Sequence, residues 1–268
     1  MYGCVGRDGF AEPALELLCQ GGVDVSGIRE GEGATGCAMV CVDGAGKNQI
    51  VVASGTNLEV GVAQVSDAML VPGNTVLLQL EVTDAENHAL IKRARLGGAC
   101  VLLNSAPARA QPDHVLAALD VLVVNEIEAD MLADPLGEEG GDMEPAQALS
   151  RRLELAVVVT LGGRGALAFS PVGDWSIGAL SVTPVDSTGA GDAFIGTLAA
   201  AMDGGADLAG ALHPASVAGG ARLYPGGCPD RSGRCRCSAA AAGRSSSGSA
   251  SYMIHEAWYY QPSHRLQL

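Results

Sequence analysis

The sequence has little positive charge. It contains 16 lysines and arginines against 30 aspartates and glutamates, which gives a net charge of −14 and a pI near 4.6. Such a surface repels nucleic acid and anionic membranes, so we expect neither as a partner. An anionic ligand such as a nucleotide would have to be bound by local dipoles and cations rather than by the overall field.

Long apolar runs and targeting patterns are also missing. No eighteen consecutive residues are apolar, so no transmembrane helix is expected. The N-terminal residues from Met1 to Asp8 lack the basic-then-apolar pattern of a signal peptide, which favours a cytoplasmic protein. The eight cysteines form no CxxC pair, which argues against a zinc site and favours reduced thiols.

Apolar residues make up 48% of the 268 residues, enough for one large α/β domain. From Val76 onward, short apolar runs alternate with helical patterns, which predicts a parallel sheet with helices on both faces. Ligands of such sheets bind beyond the carboxyl ends of the strands. The polar residues expected at those ends are Glu81, Asn104, Asn125, Thr160 and Asp186.

The first part of the chain has a different rhythm. A helix is predicted from Ala11, and strands are predicted at Val23–Val25 and over 35–42. A hairpin turn over 43–46 leads into a returning strand over 49–53, so residues 35–55 form a small ribbon. At the other end, residues 221–268 are rich in Gly, Arg, Ser and Ala without any period, which predicts a disordered tail after a domain over 1–220.

The most informative stretch runs from Thr183 to Phe194 and predicts a strand end, a glycine-rich turn and a buried helix. Gly189 and Gly191 let the backbone approach a ligand, and the N–H groups of the following helix form an anion site. Asp192 in the first turn could accept the proton of an attacking hydroxyl, as phosphoryl transfer requires. The alternative is that Asp192 only caps the helix and the glycines only form a turn.

Two further patterns each have a purely structural alternative. Asn125 and Glu128 follow a strand at the start of a helix, where Asn125 could act as a simple cap. The segment from Thr160 to Gly165 could be an ordinary glycine turn between two strands. It is not GxGxxG, so a nicotinamide-binding oxidoreductase is not supported.

Residues 186–196, D-S-T-G-A-G-D-A-F-x-G, resemble the C-terminal signature of the PfkB carbohydrate kinase family, the ribokinase-like sugar kinases. Further segments resemble motifs of the same family over roughly residues 1–220. They are G-T-N at 55–57, Q-L-E at 79–81, L-N-S-A-P-A at 103–108, N-x-x-E at 125–128 and T-L-G-x-x-G at 160–165. The resemblance implies an α/β parallel-sheet sandwich with helices on both faces and a small β lid.

The resemblance also implies an ATP-dependent kinase for the primary 5-hydroxyl of D-ribose, with another pentose or a nucleoside as alternative acceptors. It makes Asp192 the base, Gly189, Ala190 and Gly191 the anion hole, and Glu81 with Asp192 the sugar ligands. The nucleotide would be bound by Asn125, Glu128, Thr160, Gly162, Gly165 and Gly191. Asp186 and Thr188 would hold K⁺, Glu128 would support Mg²⁺, and the lid could form a homodimer.

The sequence departs from the family pattern at both ends. The family's opening strand, its early Asp and its G-G-K-G-A-N motif have no counterpart, and the similarity stops near Gly220. We therefore expect this chain to be a poor or inactive sugar kinase. The alternative from another class is a remnant that only binds nucleotide or a partner subunit.

Overall fold

The computed structural model describes residues 1–42, 48–133, 144–181 and 189–222. The N-terminal unit has strand β1 (Tyr2–Val5), helix α1 (Ala11–Gln20) and strand β2 (Gly27–Glu30), and the two strands pair in parallel. The predicted strand at 23–25 is wrong, because the strand begins only at Gly27. Asp24 instead accepts a hydrogen bond from the Ser26 N–H at 2.9 Å, and this local turn competes with strand pairing.

The ribbon consists of β3 (Cys37–Val42) and β4 (Asn48–Ala53), which pair antiparallel with Cys37 opposite Ala53. The predicted hairpin turn lies outside the described residues. After β4 the chain forms three short 3₁₀ turns, at Gly55–Glu59, Val62–Gln64 and Asp67–Met69, which the sequence analysis did not predict.

Within the described residues, six strands form the central sheet. They are β5 (Thr75–Leu78), β6 (Cys100–Asn104), β7 (Val121–Asn125), β8 (Ala156–Thr160), β9 (Ala166–Ser170) and β10 (Gly173–Ile177). Their order in the sheet is β10-β9-β8-β7-β6-β5. The first four in the chain are parallel, as predicted, whereas β9 pairs antiparallel with both β8 and β10, so the sheet is mixed. Antiparallel strands can be joined by a tight turn, and parallel ones need a long crossover.

Helices cover both faces of this sheet, which confirms the predicted fold class. One face carries α2 (Asp84–Gly97), α3 (Asp113–Leu116), α4 (Glu126–Ala133) and α5 (Glu144–Leu153), and the other carries α6 (Ala190–Asp203) and α7 (Leu208–Arg222). Alternate residues of each strand face opposite cores. In β7, Leu122 and Val124 face the first group of helices, while Val121 and Val123 face the second.

Helix α6 is anchored by its apolar side. Phe194, Ile195 and Leu198 are buried against the sheet, and each buried side chain of this size contributes about 1.5–3 kcal/mol. Helix α7 packs against α6 so closely that a Cβ on Gly219 would lie 3.2 Å from the Ala190 carbonyl oxygen. The start of α6 is therefore fixed in position relative to the sheet.

The predicted tail lies outside the described residues from residue 223 onward, so the domain boundary near 220 stays a prediction. Over the described ranges, no helix combines the length and the apolar character needed to span a membrane.

Candidate active site at the carboxyl edge of the sheet

Two of the predicted polar residues are direct neighbours at the carboxyl edge. Asn125, the last residue of β7, pairs in register with Thr160, the last residue of β8. The Thr160 hydroxyl donates to the Val124 carbonyl at 3.3 Å, which ties the two strand ends together. Asn104 ends β6 opposite Val123, at the same edge. Asp186 lies outside the described residues.

Asn125 and Glu128 form a reciprocal cap at the start of α4. The Asn125 Oδ1 accepts the Glu128 N–H at 2.9 Å, and the Glu128 Oε2 accepts the Asn125 N–H at 2.7 Å. This is the capping geometry that the sequence analysis gave as the alternative. Burial raises the pKa of Glu128, whereas the hydrogen bond from Asn125 opposes the rise. The cap holds one carboxylate in a fixed orientation at the strand ends.

The glycine turn between β8 and β9 lies beside this cap. Gly162 and Gly165 have φ values of +55° and +98°, which side chains with a Cβ rarely adopt. A Cβ on Gly165 would lie 1.9 Å from the Ile177 carbonyl oxygen, so glycine is required there. Arg164 of the turn forms an ion pair with Glu126, the first residue of α4. The residues predicted to bind nucleotide on β7, β8 and α4 thus form one neighbourhood.

The predicted anion hole lies at the start of α6. Gly189 is left-handed, with φ of 76°, and its carbonyl accepts the Ala193 N–H at 2.9 Å. The N–H groups of Ala190 and Gly191 precede this first bond of the helix, where backbone donors are oriented outward. Apart from its chain neighbours and the backbone of its own helix, no described atom lies within 4 Å of the position that a Cβ on Gly191 would take.

Glu81 and Asp192 approach each other across the sheet edge. Glu81 follows β5 and is half-buried. Burial is the main cause that raises its pKa, and the negative charge of Asp192 in the first turn of α6 raises it further. An electrostatic effect of this kind requires that the two carboxylates lie near each other. The predicted sugar ligand and the predicted base therefore influence each other electrostatically.

Two side chains near Glu81 received no role from the sequence. The Asn57 amide Nδ2 donates to the Glu81 Oε2 at 3.4 Å. Arg109 donates to the carbonyl of Leu80, and to that of Val82 at 3.3 Å, so it bridges the backbone on both sides of Glu81. Asn57 belongs to the G-T-N segment quoted above, but neither residue follows a spacing rule that connects it with Glu81.

The donor set can be compared with what Mg²⁺ requires. Among the described side chains, no group of three His, Cys, Asp or Glu residues could hold a metal ion. Mg²⁺ keeps several waters and is usually bound through one or two carboxylates together with substrate phosphates. The single fixed carboxylate of Glu128 fits that pattern. Thr188 and Asp186, the predicted K⁺ ligands, lie outside the described residues.

The chain is similar to proteins of known sequence and structure. The sequence pattern described as "pfkB family carbohydrate kinase" matches residues 1–229. The ribokinase of Schizosaccharomyces pombe is 33% identical over 221 residues, which cover 80% of this chain and 70% of the relative. The ribokinase structure from Thermotoga maritima superposes with a TM-score of 0.75 at 27% identity, over 83% of this chain and 73% of that one.

A further solved structure shows two bound ligands. The Arabidopsis thaliana ribokinase complexed with ribose and ATP has a TM-score of 0.70 and 26% identity, over 83% of this chain and 74% of that one.

Proposed function

The chain belongs to the pfkB family of carbohydrate kinases, and from that membership we propose that it transfers the γ-phosphoryl group of ATP to the primary 5-hydroxyl of D-ribose. The ribokinase of S. pombe supports ribose as the acceptor, and the Arabidopsis complex supports ATP as the donor. Another pentose or a nucleoside is the alternative acceptor.

One observation carries this proposal, namely that the negative charge of Asp192 acts on the half-buried carboxyl group of Glu81. Two neighbouring carboxylates accept hydrogen bonds and repel anions. An uncharged polyol supplies hydroxyl donors for both, whereas a sugar that is already phosphorylated would add a third negative charge. The pair therefore favours a neutral sugar as the acceptor.

The proposed transfer uses Asp192, in the first turn of α6, as the base. Its carboxylate accepts the proton of the attacking hydroxyl while the sugar oxygen forms a bond to the γ-phosphorus. The bond from that phosphorus to the bridging oxygen breaks, and ADP leaves with the electron pair. Gly189, Ala190 and Gly191 place backbone donors at the start of α6, where they stabilise the charge on the phosphoryl oxygens. The proton on Asp192 is then released to solvent.

The nucleotide side of the proposal uses the neighbourhood around the glycine turn. Asn125, Thr160, Gly162 and Gly165 would contact the nucleotide, and Gly191 would contact its phosphates. Mg²⁺ would supply charge neutralisation to those phosphates when bound. Glu128 would hold it through water, since Oε2 already accepts a hydrogen bond from Asn125. Asp186 and Thr188 would hold K⁺.

A homodimer through the ribbon is part of the same proposal. Met39 and Val51 are cross-strand neighbours on the ribbon and are 66% and 57% exposed. Apolar side chains grouped on a two-stranded ribbon are a common basis for association. Light scattering would measure the mass, and Val51→Lys should lower it if the ribbon is the interface.

The activity is tested with the full chain in a coupled assay of ADP release, with MgATP and K⁺ present. We expect slow ADP release that requires ribose, as befits a poor kinase, and still slower release with 2-deoxyribose, fructose or a nucleoside. ATP binding is measured in parallel by calorimetry. Binding of ATP without turnover of any acceptor would favour the nucleotide-binding alternative, and turnover of another acceptor in preference to ribose would contradict the proposed substrate.

A further inference from the structure

Asn57 is a deeply buried amide beside the acceptor site. It lies in the 3₁₀ turn Gly55–Glu59, directly after the ribbon strand β4, and is only 3% exposed. Buried amides need hydrogen-bond partners, because an unpaired polar group is costly away from water. The Asn57 Nδ2 donates to the Glu81 Oε2 at 3.4 Å. A residue at the base of the ribbon thus contacts the carboxylate that faces Asp192.

The Oδ1 atom of Asn57 lies close to the residues that flank the two ribbon strands, Gly36 before β3 and Ser54 after β4. A Cβ on Gly36, the residue before β3, would be 2.8 Å from the Asn57 Oδ1 and 2.8 Å from the Ser54 carbonyl oxygen. Ser54 follows the last residue of β4. The Thr56 N–H also donates to the Ala34 carbonyl at 2.9 Å, which closes this junction. The amide of Asn57 therefore spans the distance from the ribbon base to Glu81.

We infer that Asn57 is a positioning residue that fixes the Glu81 carboxylate relative to the base of the ribbon. This inference rests on the proposed function, in which Glu81 binds the acceptor sugar. The contact of 3.4 Å is longer than the usual range of about 2.7–3.2 Å.

The charges around Glu81 define what the amide does. The negative charge of Asp192 disfavours the ionised form of Glu81, whereas the N–H of Asn57 favours that form. On its own loop, the Glu81 N–H donates to the Gln79 Oε1, and Arg109 is bound to the carbonyls of Leu80 and Val82. Asn57 therefore helps to keep Glu81 ionised and oriented beside a like charge.

The direct test measures the titration of Glu81 itself. In protein labelled with ¹³C-glutamate, the carboxyl resonance of Glu81 is identified by its loss in Glu81→Gln. Asn57→Leu removes the donor with little change in volume, and we expect the pKa of Glu81 to rise. Asn74→Leu is the matched control, because Asn74 donates its amide to the Met69 carbonyl at the opposite end of β5. It should leave the titration unchanged.

The functional test compares Michaelis constants. Loss of a hydrogen bond to a charged group predicts a KM for ribose about tenfold higher in Asn57→Leu, with the KM for ATP unchanged. In the Glu81→Gln background the same substitution should have little further effect, since its target is already altered. If Asn57→Leu folds poorly by near-UV circular dichroism, Asn57→Ser replaces it.

The outcomes separate the two hypotheses. An unchanged Glu81 titration in both Asn57 variants would overturn the inference, whatever the activity. A shifted titration in a protein that does not phosphorylate ribose would leave the coupling standing and remove the proposed function. A KM for ATP that rises together with the KM for ribose would point to general distortion of the site and would count against a positioning role.

Discussion

At the level of single residues, the like charges of Glu81 and Asp192 repel each other. Burial and the charge of Asp192 both raise the pKa of Glu81, so its ionised form is less favourable in the folded protein than in the unfolded chain. Such strain at a ligand site is relieved when hydroxyl groups donate to the carboxylates. Stability and acceptor binding should therefore respond in opposite directions to changes at Glu81.

Replacing Asp192 tests the proposed base. Asp192→Asn keeps the shape of the side chain but cannot accept the proton, so turnover should fall by about 10²- to 10⁴-fold. The dissociation constant for ATP, measured by calorimetry, should change little. Asp174→Asn serves as the control, because Asp174 is exposed on β10 and pairs with Gln147. Turnover by Asp192→Asn equal to that of the control would remove Asp192 from the chemistry.

The pH dependence of stability in Glu81→Gln tests how much the ionised Glu81 carboxylate destabilises the folded protein. Below about 4.5, the ordinary pKa of glutamate, Glu81 is protonated in both states and contributes no penalty. As pH rises through that value and then through the raised folded pKa, the unfolded state ionises first and the folded state loses stability. Thermal unfolding of Glu81→Gln and the parent should therefore diverge towards neutral pH, with the variant more stable.

Acceptor binding should show the opposite trend, since the KM of Glu81→Gln for ribose should rise. A gap between the two unfolding temperatures that stays constant from acid to neutral pH would mean that Glu81 carries no such penalty.

At the level of elements, the turn between β8 and β9 requires glycine at Gly165 but not at Gly163. Gly165 has φ of +98° and no room for a Cβ, whereas Gly163 has no positive φ and no described atom within 4 Å of a Cβ. Gly165→Ala should destabilise the fold by more than about 1 kcal/mol and weaken ATP binding, because the turn must move. Gly163→Ala is the matched control and should be nearly neutral. Equal effects of the two substitutions would show that the turn adapts freely.

The sequence predicts elements best where burial dictates composition. The strands β5 to β8 are buried on both faces, so each is a continuous apolar run. The reversed direction of β9 is implied by the short segment from Leu161 to Gly165, which leaves no room for a crossover helix. The 3₁₀ turns after β4 have no periodic apolar pattern, and this is why the environment of Asn57 could not be predicted.

In the candidate site too, some features are predictable from local sequence and others are not. Asp192 and Asn125 belong to segments whose local motifs carry their own signal. The approach of Glu81 to Asp192, and the contact of Asn57 with Glu81, join segments that are distant in sequence and meet only after the sheet forms. No local pattern encodes such distances.

At the level of the whole molecule, net charge sets how an anionic nucleotide reaches its site. The chain carries a charge of −14, and Arg164 beside the nucleotide region is already paired with Glu126. The backbone donors at the start of α6 act only at short range. The long-range field should therefore repel ATP, while the local site attracts it.

The salt dependence of ATP binding should separate the long-range repulsion from the short-range attraction. Raising ionic strength from about 0.01 M to about 0.15 M shortens the Debye length from about 30 Å to about 8 Å. With K⁺ and Mg²⁺ held constant and tetramethylammonium chloride as the added salt, repulsion is screened and the association rate for ATP should rise. Binding of uncharged ribose should not respond. A steep loss of ATP affinity with salt would instead indicate a positive field around the site, which the balance of 16 basic against 30 acidic residues does not predict.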